Sequence, residues 1–182
     1  MSVGLERERI LSLLGELGRR LDRDGTAAAL YIVGGAAMAI AYSSRRATHD
    51  IDALFEPSES MTAHIAAIAA EEALPADWLN GAARAFVPGE PDVHATLVEL
   101  LGITLSIGSP RHVLAMKMAA FRPQDLGDID LLMEMLAITD AAALVSLTVE
   151  IYGDYLDMLV QPDDLALRAE LAANRAARRR PS

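Results

Sequence analysis

Two carboxylates one residue apart, Asp50-Ile51-Asp52, lie 15 residues beyond a pair of glycines, Gly34-Gly35. In a β-strand, successive side chains point to opposite faces. Asp50 and Asp52 then share one face with Thr48 and Arg46, while Ile51, Ala53 and Phe55 share the other and can enter a core. Two residues of strand rise set the aspartate Cα atoms roughly 6.5–7 Å apart. Carboxylates this close repel each other, and a cation between them removes the penalty. Mg²⁺ or Mn²⁺ suits the pair, because such an ion takes one or two carboxylates and fills its shell with water and phosphate oxygens. The Gly34-Gly35 turn lets backbone N–H groups approach phosphate, and a helix that starts there adds a favourable dipole. Thr48 offers a hydroxyl to phosphate, and Arg46 lies on the same parity. Taken singly, a Gly-Gly is usually a turn and an Asp-x-Asp is usually solvated surface. Their combination at this spacing points to a functional site for phosphate and a divalent metal.

A second set lies further along. Lys117 is the sole lysine beside fifteen arginines. A compact ammonium surviving against such a bias marks a position that a broad guanidinium does not fill. Arg122, Asp125 and Asp128 follow it. Arg122 suits either a phosphate or a carboxylate. Asp125 suits a helix N-cap, with Asp128 three residues on completing a capping arrangement.

The elements that position these residues follow from periodicity. Ile10, Leu13, Leu14, Leu17 and Leu21 predict an amphipathic helix over 5–22. Residues 29–33 predict a buried strand, 36–42 a small-residue helix and 49–55 the carboxylate strand. Ser58 or Ser60 caps a helix running to 73. Residues 74–100 are broken by prolines and glycines, and strand-like material centres on Ile103 to Ile107. Ser109-Pro110 predicts a helix start, and further helices follow near 129–136, 140–152 and 162–177. The expected fold is therefore mixed α+β over residues 1–108 and helical over 109–182, with a basic tail at 175–182 that reads as a frayed end or a small binding patch.

Composition narrows the function. The formal charge is −10, so a general nucleic-acid surface is not expected outside local arginine clusters, Arg45-Arg46 and Arg175 to Arg180. No apolar run approaches the roughly 20 residues of a membrane span. No leader pattern opens the chain, and the absence of cysteine fits a reducing cytoplasm. The four histidines lack metal-ligand spacing, and Trp78 reads as core.

The pattern Gly-Gly, then Arg46-Ala47-Thr48-His49-Asp50-Ile51-Asp52, resembles the signature of polymerase β-like nucleotidyltransferases, closest to the AbiEii-like and MenT-like proteins of bacterial toxin–antitoxin systems. Lys117 followed by Arg122-Pro123-Gln124-Asp125 and Asp128-Ile129 is similar to that group's second motif, and Asp77-Trp78-Leu79-Asn80 resembles another of its segments, with no role apparent. The resemblance implies a minimal nucleotidyltransferase sheet flanked by helices, with a C-terminal helical bundle completing the cleft. It implies nucleotide binding by Gly34, Gly35, Arg46, Thr48, Lys117 and Arg122. It assigns metal to Asp50 and Asp52, and catalytic roles to those two with Lys117 and Asp125, Asp128 supporting. It further implies transfer of a nucleoside monophosphate to an acceptor hydroxyl, with a tRNA 3′ end favoured, and a toxin-like role beside a cognate antitoxin protein. Adenylylation of a partner protein, or nucleotide binding without turnover, are the alternatives. A third carboxylate, which many members of the superfamily use, is not evident; Glu99 is the nearest candidate.

Overall fold

A computed structural model describes residues 4–43, 47–56 and 58–179 of the chain. Arg45 and Arg46 lie outside the described residues, as does Arg180 of the tail. The chain divides into two compact units, Met1–Ala85 with His94–Gly108, and Phe86–Val93 with Ser109–Ser182.

The first unit is built on a mixed five-stranded sheet among the described residues. Its strands are β1 (Ala28–Ile32), β2 (Ile51–Leu54), β3 (Leu79–Asn80), β4 (Thr96–Leu100) and β5 (Ile103–Ile107), in the order β3-β2-β1-β5-β4. β1 runs antiparallel to β2 and parallel to β5, and β2 runs parallel to β3. Alternation divides the faces as expected. Leu30 and Ile32, Ile51 and Ala53, and Ile103, Leu105 and Ile107 are all buried. Helix α1 (Arg7–Arg23) packs on β5 and on α3 (Glu59–Glu71), and it buries the stripe Ile10, Leu13, Leu14, Leu17 and Leu21. The helix begins two residues later than the periodicity suggests, because Leu5 pairs as an isolated bridge with Thr48. Ser58 caps α3, its hydroxyl accepting from the Met61 N–H at 3.1 Å.

After β1 the chain passes directly into α2 (Gly34–Ala37), which opens on the two glycines. It continues as one π-helical turn, Met38–Tyr42. Arg7 donates to the Ile40 carbonyl at 2.9 Å, supplying a partner within this irregular turn.

The second unit is helical. Helix α4 (Pro110–Ala120) is buried along almost its whole length, as a helix apolar on every side must be. Around it pack α5 (Leu126–Met135), α6 (Ala141–Tyr152) and α7 (Pro162–Arg179). Ser109 caps α4 as predicted, with Pro110 in the first turn. The segment 86–93 is tied to this unit by Asp92, whose carboxylate accepts from the Ser109 N–H at 2.6 Å and lies 3.2 Å from His112 Nδ1. Among the described residues no helix is long and apolar enough to cross a membrane.

Candidate active site

The carboxylate strand is shorter than expected. β2 begins at Ile51, and Asp50 occupies the bend just before it. The parity survives the change. Asp52 pairs in register with Asn80 on β3, and paired residues share a face of the sheet. The Asn80 side-chain amide donates to Asp50 Oδ2 at 2.9 Å. Asp50 therefore turns toward the face that Asp52 and Asn80 occupy, away from buried Ile51 and Ala53. Both aspartates are half-buried.

The antiparallel pairing of β1 with β2 brings the glycines over this pair. Tyr31 lies opposite Leu54 and Ile32 opposite Ala53, and the next residue, Val33, donates its N–H to the Asp52 carbonyl at 3.0 Å. Gly34 follows with φ +61°, a left-handed conformation that side chains rarely adopt. A Cβ there would stand 3.0 Å from Asp52 Oδ2. A Cβ on Gly35 would stand 2.6 Å from Thr48 Oγ1 and 3.2 Å from Thr48 Cβ. Each glycine therefore meets a polar side chain predicted for the site. Thr48 is fixed in turn by its backbone bridge to Leu5, with N···O distances of 2.6 and 3.0 Å. Gly34, Gly35, Thr48, Asp50 and Asp52 thus form one constellation in the first unit.

Lys117, Arg122, Asp125 and Asp128 come together within the second unit. The Lys117 ammonium lies 2.6 Å from Asp125 Oδ1 and 2.8 Å from Asp128 Oδ2, and its side chain is 4% exposed. Asp125 also takes Arg122 Nε at 2.8 Å. Burial pushes the Asp125 carboxyl up, but its bonds to Lys117 and Arg122 more than offset this and hold it below the ordinary carboxylate range. Its carboxylate makes no capping bond to α5, so the capping role weighed for it is replaced by an ion cluster. A compact ammonium meets both buried carboxylates from one point, at 2.6 and 2.8 Å, which is a physical reason for lysine here.

Asn80 is the residue that motif reasoning left without a role. Its segment was visible in the sequence, but its partner was not, because the contact depends on the β2–β3 register. Trp78, two residues before it, is fully buried, and its indole N–H donates to the Ile65 carbonyl at 3.1 Å. Glu99 lies on the edge strand β4, opposite Thr104, and accepts from the Thr104 hydroxyl at 2.9 Å. On β5 the residues paired with the outward positions of β1 are Thr104 and Ser106. Among the described residues no group of three or more His, Asp or Glu side chains is placed to hold a metal.

Residues 8–159 match the family described as "Nucleotidyltransferase of unknown function (DUF6036)". The chain belongs to this nucleotidyltransferase family. No curated protein and no solved structure matches it. Membership implies a nucleotide as substrate, and the match spans both sets of residues.

Proposed function

We propose that the chain is a metal-dependent nucleotidyltransferase that moves a nucleoside monophosphate from a triphosphate to an acceptor hydroxyl. The observation that carries this reading is the packing of Gly34 on the Asp52 carboxylate, with Asp50 turned to the same face. The donor set fits a small divalent cation: two hard carboxylates on one face, with a hydrogen atom instead of a side chain above one of them. Mg²⁺ or Mn²⁺ bound by Asp50 and Asp52 would neutralise charge on the triphosphate and the departing pyrophosphate.

The protein's own groups do the rest by position. The left-handed turn at Gly34 lets a phosphate approach the backbone beside Asp52, and the Thr48 hydroxyl, against Gly35, offers a hydrogen bond to a phosphate oxygen. The acceptor oxygen forms a bond to the α-phosphorus as the bond to the bridging oxygen breaks. Pyrophosphate leaves with that electron pair, and the hydroxyl proton passes to solvent. Arg46, outside the described residues, stays a candidate phosphate ligand from the resemblance alone. Lys117, held between Asp125 and Asp128 at 2.6 and 2.8 Å, stays the candidate for a phosphate or transition-state role that the resemblance implies.

The acceptor we favour is a tRNA 3′ end, from the resemblance to toxin-type relatives and from the cluster Arg175, Arg178 and Arg179 near the end of α7. Arg175 and Arg179 share Asp130 there, at 2.9 Å for Arg175 Nε. Incubation with an α-labelled triphosphate, Mg²⁺ and either total RNA or total protein tests the reading. Label in RNA with release of pyrophosphate supports it. Label in protein identifies the adenylylating alternative, and triphosphate binding without pyrophosphate release identifies a module without turnover.

A further inference from the structure

Resting on the metal-site reading above, we propose that Asn80 is a positioning residue that makes Asp50 a one-oxygen ligand and so biases the site toward Mg²⁺ or Mn²⁺ over Ca²⁺. The Asn80 amide is saturated in a single orientation. Its nitrogen donates to Asp50 Oδ2 at 2.9 Å and to the Asp77 carbonyl at 3.0 Å, while its oxygen accepts from the Ala82 N–H at 2.8 Å. A flipped amide would set oxygen against two acceptors and an NH₂ group against an N–H, so the donor toward Asp50 is determined by its surroundings.

The backbone beneath it is equally constrained. The Trp78 indole is anchored to the Ile65 carbonyl, and the Trp78 carbonyl accepts from the Ile51 N–H at 2.7 Å. β3 is only two residues long, yet it is held on one side by a buried ring and on the other by the strand that carries Asp52. Asn80 is thus a rigid donor beside both carboxylates.

The consequence lies in coordination chemistry. A donor held on Oδ2 occupies one lone pair and leaves Oδ1 as the stronger ligand. Ca²⁺ accepts one- or two-oxygen carboxylates in a loose shell of six to eight ligands. The smaller Mg²⁺ requires near-octahedral geometry at about 2.0–2.1 Å and takes one oxygen from each carboxylate readily. Partners behind a metal ligand typically tune metal affinity by about 10–100-fold.

The test is calorimetric titration of the nucleotide-free full chain with Mn²⁺ and, separately, with Ca²⁺, for the parent, Asn80→Ala and Asn80→Ser. Serine keeps an acceptor for the Ala82 N–H in the same kind of turn but is too short to reach Asp50. Both variants should unfold cooperatively, bind Mn²⁺ about 10-fold more weakly, and lose less affinity for Ca²⁺, so that the preference for Mn²⁺ narrows. A preference unchanged in both variants, or parent behaviour restored by serine, would overturn the assignment and reduce Asn80 to a loop-forming residue. A parent that takes up neither ion would overturn the metal-site reading, and this assignment with it.

Discussion

At Gly34 the side chain is a single hydrogen, and the carboxylate of Asp52 takes up the space beyond it. Alanine would meet two penalties together. The left-handed backbone at φ +61° costs an L-residue roughly 1–2 kcal/mol, and the new methyl would crowd Asp52 Oδ2. Gly34→Ala is therefore expected to lower unfolding stability by about that amount and to depress triphosphate affinity much further, read by denaturant unfolding and by nucleotide titration on one preparation. Equal nucleotide affinity in parent and variant would detach the glycine from the site. Lys117 makes a contrasting prediction. Removing one member of a buried ion cluster leaves uncompensated charge, at a cost of roughly 3–5 kcal/mol. Lys117→Met should accordingly lose stability on that scale in urea unfolding. Lys117→Arg should also destabilise, because a longer planar head must shift two carboxylates now set 2.6 and 2.8 Å from a compact ammonium. Full stability in the arginine variant would show that the position does not select for size.

Among the elements, the readable ones carry a period or a cap. The stripe from Ile10 to Leu21 was legible because it repeats at helical spacing and buries completely. The start of α4 was legible because Ser109-Pro110 is a chemical signal needing no tertiary partner. β5 alternates strictly, and it pairs along its whole length. β3 could not be read, since two residues have no period and the strand exists because Trp78 is buried behind it. β4 was equally obscure. Its residues are exposed or only partly buried, so no apolar face marks it. The shared face of Asp50 and Asp52 followed from parity alone. Their companions did not, because the contacts of Gly34 with Asp52, of Gly35 with Thr48 and of Asn80 with Asp50 depend on strand register. The members of the lysine cluster were legible, but their ion pairs were not, because they span a break at Phe121, whose φ is +45°, between α4 and the turn that carries Asp125.

For the molecule as a whole, acid should act through Asp125. Its folded value lies below the ordinary carboxylate value of about 3.9. A depressed value adds stability that is present above the unfolded value and lost as pH falls through the folded one. Unfolding free energy should thus be insensitive to this group between about pH 5 and 8 and should decline below about pH 4. In Lys117→Met that decline should shrink, because the ammonium that lowers the Asp125 carboxyl is gone and burial opposes its charged form. A pH-stability curve identical in parent and variant would remove Asp125 from the acid response. The net charge of −10 confines any polynucleotide contact to local arginines, so transfer to RNA should weaken steeply with added salt.

The most direct measurement of the central claim is Mg²⁺-dependent transfer of label from an α-labelled triphosphate by the parent, Asp50→Ala and Asp52→Ala, with unfolding of each protein followed in parallel. Both variants should still unfold cooperatively, and both should lose transfer by about 10²-fold or more. Transfer at the parent rate by either variant would contradict the account.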